Sequence, residues 1–260
     1  MKVERFSIAA ALLLLVAIFG CKSPAVQTAA PPVQGRPWTN SLGMRFVPVP
    51  GAEVLFCIWE TRVQDYQAFV SATGRSQEKL SSGQGPNHPA VDVSWKAAKA
   101  WCEWLTQKER REGRLGAGQS YRLPTDAEWS VAAGLPPESG STPAEKNMKI
   151  KDVYPWGNQW PPPAGTGNYD PSLNVDSYEK AAPVSSFPAN KLGLCDLSGN
   201  VWVWCEDRYD NEQEYRVLRG GSWCDRDAAR LLSSFRTCLT PDSHGVNYGF
   251  RVVLAGDSSR

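Results

Sequence analysis

The chain has 260 residues, of which 42% are apolar and 21% charged, so one large domain with a sizeable core, or two small ones, is expected. Its 28 Lys+Arg against 27 Asp+Glu leave a net charge of +1, and no basic stripe runs along the sequence. Nucleic acid is therefore excluded as a partner.

Residues 1–20 predict a lipoprotein signal peptide. Lys2 and Arg5 give a positive start, and the apolar run from Ile8 to Phe19 is too short to span a bilayer comfortably. Ile18-Phe19-Gly20-Cys21 reads as a lipobox, with Cys21 as the lipid anchor to the membrane. The alternative is an ordinary cleaved signal with a chance cysteine. Residues 21–37, rich in Pro, Ala and polar side chains, predict a flexible tether with too little apolar surface to offset ordering. These features place the chain outside the cytoplasm, on the periplasmic or outer-membrane face of a bacterial envelope. Lys22 after the anchor is compatible with outer-membrane sorting.

The folded body is expected over 38–255, with a tail at 256–260. Ser41 to Pro50 reads as strand, turn and strand. Thr61 and Gln64 have the spacing of a capping box, after which Val63, Tyr66, Phe69 and Val70 recur at helical intervals until Gly74. Ser94 is expected to cap a second helix whose apolar face holds Ala97, Trp101, Trp104 and Leu105. Thr125 and Glu128 form another capping box, for a short helix ending at Gly134. Residues 135–195 are rich in Gly, Pro, Asn and Asp with little periodicity. So long an irregular stretch inside a domain asks for an organiser, such as bound ions. Strand-like runs return at Val217 to Arg219 and from Phe250 to Leu254. Most of the 11 Trp are expected in the core. With Cys21 set aside, Cys57, Cys102, Cys195, Cys205, Cys224 and Cys238 remain, and their pairing is left open. No C-x-x-C occurs.

Short motifs then follow one another in a telling order. His88-Pro89-Ala90-Val91 precedes the Trp-rich helix, and Tyr121-Arg122-Leu123-Pro124-Thr125-Asp126-Ala127-Glu128-Trp129 leads into the third. Tyr154-Pro155-Trp156-Gly157, Phe187-Pro188-Ala189-Asn190 and Gly193-Leu194 lead to Gly199-Asn200-Val201-Trp202. Arg219-Gly220-Gly221-Ser222-Trp223 and Gly249-Phe250-Arg251 close the series. In this order the motifs resemble the sulfatase-modifying factor family, whose founding members are formylglycine-generating enzymes.

The resemblance covers residues 38–255. It implies an α+β fold of the formylglycine-generating, C-type-lectin-like kind, loop-rich with few helices and short antiparallel strands. The family's enzymes oxidise a sulfatase cysteine with a copper-binding pair of cysteines lying between the Gly-Gly-Ser motif and a Thr-Pro-Asp-Ser loop. Counting back from Thr240 puts those positions at Ala228 and Ser233. Counting forward from Ser222 puts them at Arg230 and Phe235. Neither count meets a thiol, so the resemblance implies no copper cofactor. A site displaced onto Cys224 and Cys238, a Cys/His pair with His244, and iron chemistry assisted by another subunit are weaker options.

The resemblance also implies structural calcium, a hard ion that takes oxygen ligands. One site maps onto Asn168, Tyr169, Asp176 and Tyr178. A second maps onto Asp196, Gly199 and Val201 but meets Val203 where the family has an acidic residue, with Glu206 as a substitute. This second site is expected to be empty or weak. A groove lined by Trp223, Arg236, Asn247 and Tyr248 is implied as well. The favoured expectation is a non-catalytic binding or scaffold protein with a protein, peptide or glycan ligand. The alternative is a divergent oxidase that modifies an exported protein such as a sulfatase.

Overall fold

Alternation along the central strands sets the architecture, because both of their faces meet apolar core. The computed structural model describes residues 31–33, 35–75 and 84–256. The leader, Cys21 and most of the tether lie outside the described residues, as does the tail beyond residue 256. In chain order the elements are β1 (Trp38–Thr39), β2 (Arg45–Pro48), β3 (Val54–Cys57), α1 (Val63–Thr73), α2 (Trp95–Arg111), β4 (Ser120–Arg122), α3 (Asp126–Ala132), α4 (Pro143–Lys146), β5 (Trp202–Arg208), β6 (Arg216–Arg219), β7 (Thr237–Leu239), β8 (Tyr248–Phe250) and β9 (Val253–Ala255). One sheet has the order β1-β2-β3-β9-β4 and the other β7-β6-β5-β8. All pairings are antiparallel except β5 with β8. This is the expected loop-rich α+β fold. Among the described residues no helix is long and apolar enough to cross a membrane.

Successive side chains of a strand point to opposite faces. In β3, Leu55 and Cys57 enter one core with Phe46, Phe69, Trp101 and Phe250, while Val54 and Phe56 enter a second with Trp129 and Val217. In β5, Trp202 and Trp204 join the first core, and Val203 and Cys205 the second. The sheets thus share two apolar cores, and α1 and α2 cover the first. Trp101, Trp129, Trp202 and Trp204 are fully buried. Buried indole N–H groups need acceptors; Trp101 donates to the Asp65 carbonyl at 3.1 Å and Trp204 to that of Val93 at 2.9 Å.

The predicted caps of α2 and α3 form. Ser94 accepts from the Ala97 N–H, and Thr125 and Glu128 satisfy each other's backbone. The cap of α1 sits one residue later than expected. Asp65, not Gln64, reaches back to the Arg62 N–H at 3.0 Å and also holds the Arg62 guanidinium. Thr61 is committed elsewhere, its N–H to Phe250 and its carbonyl to Ala90. Two strand expectations also change. Residues 41 and 42 form a turn, so Ser41 to Pro50 holds the single strand β2. The run from Phe250 to Leu254 breaks into β8 and β9 on different sheets. Arg251, fully buried between them, donates to the carbonyls of Cys57, Cys195 and Asp196, which takes the chain across from one sheet to the other. All six cysteines of the body are free thiols.

Candidate functional site

The residues expected to line a groove come from the turn after β6 and the loop before β8. Gly220 and Gly221 both have positive φ, 97° and 77°, which glycine adopts without steric cost. They turn the chain so that Ser222 is buried and its hydroxyl and N–H both meet Oδ2 of Asp225, at 2.7 and 2.9 Å. Trp223 and the exposed Cys224 follow. Asn247, from the second loop, donates its amide to Oγ of Ser222 at 3.1 Å and to Sγ of Cys224 at 3.3 Å. Tyr248 packs edge-on against Trp204. Trp223, Asn247 and Tyr248 are all partly exposed, and Trp223 and Asn247 are tied to neighbouring backbone: the Trp223 N–H donates to the Asn200 carbonyl, and the Asn247 carbonyl accepts from Trp202.

Arg236, also expected in the groove, is not there. It is 1% exposed and lies between two acids, 2.9 Å from Oδ2 of Asp126 and 2.5 Å from Oε1 of Glu138. Arg219 pairs with the other oxygen of Asp126. Burial alone would push the Asp126 carboxyl up, but the Arg219 and Arg236 guanidiniums outweigh it and hold the group below its ordinary range. Arg236 immediately precedes β7, and a charge entering the core at that point needs these partners. The exposed Arg230 lies near the turn after β6, where it pairs with Asp225 at 2.6 Å and lies over the Trp202 ring at 5.5 Å. His244 pairs with Asp92 at 2.7 Å on the exposed surface.

The thiols divide by burial. Burial raises Cys57 to about 12 and pushes Cys102 and Cys205 well above the ordinary thiol range. Cys238, within β7 opposite Val217, is raised by burial and by Asp210. Sγ of Cys224 has Ser222 and Asn247 as its partners, not a second sulfur.

The residues of the first expected calcium site gather around Asn168. This side chain is fully buried, and its amide nitrogen donates to the Lys180 carbonyl and to Oδ1 of Asn200. Its own Oδ1 has no partner, an expensive state for a buried oxygen and one that suits a hard cation. Asp176 lies alongside, accepting from the Tyr169 N–H at 3.1 Å and the Tyr178 N–H at 2.7 Å. Gly199 closes the cradle. A Cβ there would stand 2.3 Å from the Asn168 carbonyl oxygen.

The second set fits a cation less well. The Val203 side chain lies in the apolar core, and the Glu206 carboxylate is engaged by Lys99 at 2.5 Å. Val201 is buried beside Val91 and Ala181. Asp196 accepts from the Ser185 N–H at 2.6 Å and faces Glu60. Burial pushes both carboxyls up, and for Glu60 the charge of Asp196 adds to the effect. Glu60 and Asn200 were not anticipated. The available signals were an acid directly after an apolar strand and an Asn between glycine and a Trp-rich run.

The sulfatase-modifying factor enzyme 1-like domain matches residues 38–255. The chain is 36% identical over 173 residues to the inactive C-alpha-formylglycine-generating enzyme 2 of Bos taurus, covering 63% of this chain and 49% of that protein. It is 33% identical over 196 residues to the formylglycine-generating enzyme of Thermomonospora curvata, covering 64% and 55%. It therefore spans about half the length of these relatives. The structure of PvdO from Pseudomonas aeruginosa superposes with a TM-score of 0.63 at 20% identity, over 86% of this chain and 99% of that one, a likeness of fold. This chain belongs to the sulfatase-modifying factor family.

Proposed function

We propose that the chain is a lipid-anchored envelope domain that binds a protein, peptide or glycan ligand in the groove of Trp223, Asn247 and Tyr248, and that it does not carry out the family's oxidation. The observation that carries this reading is the chemistry of the groove. A copper(I) ion wants soft thiolates. The positions matched to the family's cysteine pair hold Ala228 and Ser233 by one count, or Arg230 and Phe235 by the other. The thiol in the groove, Cys224, is paired with a hydroxyl and an amide. The likeness to a relative named as inactive supports the same reading. Calcium at Asn168, Tyr169, Asp176 and Tyr178 would brace the loops beneath the groove, and the unpartnered Oδ1 of Asn168 supports that role. The second set remains empty or weakly bound in this reading.

The reading is tested by incubating the chain with a Cys-x-Pro-x-Arg peptide, copper and oxygen and weighing the product. An unchanged peptide is expected, whereas the mass loss of thiol-to-aldehyde conversion overturns the reading in favour of a divergent oxidase. Replacing Cys21 with Ser should abolish acyl labelling of the chain in cells and release it from membranes.

A further inference from the structure

A cavity of about 230 Å³ lies outside the groove, on the loop-rich side of the domain. Its walls include Trp156, Phe187 and Pro188, and Asp196, Ser198 and Thr166 supply polar groups. Trp156 is held for display. The ring of Tyr154 stacks on it at 4.9 Å, nearly parallel, and Tyr169 meets it edge-on at 5.3 Å. Its indole N–H is spent on the Gln159 carbonyl, so it offers the cavity an apolar surface and no donor. Phe187 is braced edge-on by Tyr178.

The polar groups keep unused hydrogen-bonding capacity. Ser198 takes the Tyr169 phenol proton, which leaves its own hydroxyl proton free to donate. Thr166 donates to the Pro163 carbonyl, which leaves its oxygen free to accept. Asp196 adds carboxylate oxygens, one of them already holding the Ser185 N–H. Arg251 fixes the backbone here, donating to the Asp196 carbonyl at 3.2 Å. Flat apolar walls beside a donor and acceptors suit a neutral ring with one C–H face and several hydroxyls.

We propose that this cavity binds one pyranose unit of a glycan, with its C–H face against Trp156 and Phe187 and its hydroxyls on Ser198, Thr166 and Asp196. The site is separate from the groove and would stand or fall independently of any ligand there.

The experiment is saturation-transfer NMR on the full chain with the methyl pyranosides of glucose, galactose, mannose and N-acetylglucosamine, followed by titration of those that respond. Saturation of pyranose ring protons is expected for at least one of them, with a dissociation constant on the order of 1 mM or tighter. Phe187→Ala, at a partly exposed position, should weaken binding about tenfold without lowering the melting temperature appreciably. Asp196→Asn keeps an oxygen for the Ser185 N–H and should weaken binding several-fold. The proposal is overturned if no pyranoside is saturated, or if saturation survives unchanged in Phe187→Ala. It is also overturned if trimethyl-lysine or a proline dipeptide occupies the cavity and the sugars do not.

Discussion

The side-chain amide of Asn247 donates to the sulfur of Cys224 at 3.3 Å, joining the loop before β8 to the turn after β6. Cys224 is the exposed thiol of the body, while Cys57, Cys102 and Cys205 are buried and hold their protons tightly. Since the thiolate is the reacting species, a native chain treated with iodoacetamide near pH 8 should be alkylated at Cys224 faster than at those three by a factor on the order of ten or more. Peptide mapping by mass spectrometry checks this. Equal labelling of Cys57 would show that the first core opens readily.

The calcium proposed for the Asn168 cradle makes a thermal prediction. An ion held at about 100 times its dissociation constant adds about 2.7 kcal/mol to stability. In a domain of this size that corresponds to roughly 5–10 °C in melting temperature. Chelation should lower the melting temperature by an amount of that order, and returning calcium should restore it. Asn168→Ala and Asp176→Ala should both melt lower and show no response to chelator. A wild-type chain indifferent to chelator would leave the buried Oδ1 of Asn168 without the role assigned to it.

Arg236 sits in the core, so its removal should damage stability before any binding. Arg236→Met leaves Glu138 without its guanidinium and Asp126 with Arg219 alone. Breaking a buried charge pair from one side costs about 3–5 kcal/mol, readable in urea denaturation. The pH dependence has a definite sign. Asp126 is held below its ordinary value in the folded chain, so its contribution is fully present above about pH 4, the unfolded value. It is lost as pH falls through the folded value. Wild type should lose stability on acidification below about pH 4, and Arg236→Met should lose less over the same interval.

Local chemistry was legible in the sequence wherever it acts over three or four residues. Ser94 and Thr125 cap as their spacing dictates because the partner N–H is three residues away. The family motifs carried the fold because each is a short stretch of chain, whether a cap such as Thr125 to Glu128 or a strand end such as Arg219 with its glycine turn. Arg236 was misplaced because its partners Asp126 and Glu138 are distant in sequence, and nothing around it distinguishes a core arginine from a surface one. The break between β8 and β9 was hidden likewise. Phe250 to Leu254 reads as one strand-like run, and only the carbonyls of Cys57, Cys195 and Asp196 reveal where Arg251 turns it. Glu60 and Asp196 meet across sequence and could not be paired in advance.

Gly199 and Gly193 separate two costs that are usually confounded. Both have positive φ, 73° and 79°, so replacing either with Ala forces a side chain into the left-handed region at about 1–2 kcal/mol. At Gly193 a new Cβ meets nothing within 4 Å, and the backbone cost is the whole effect. At Gly199 the Cβ would stand 2.3 Å from the Asn168 carbonyl and 2.7 Å from the Tyr169 ring, so the loops must part. The Asn200 N–H bond to that same carbonyl would be strained with them. Gly193→Ala should therefore lose only the smaller amount and keep its response to calcium. Gly199→Ala should melt distinctly lower and respond weakly or not at all, because the displaced carbonyl belongs to the residue whose Oδ1 lines the cradle. Equal losses in the two variants, with calcium responses intact, would show that the approach of Gly199 to Asn168 plays no part in forming the site.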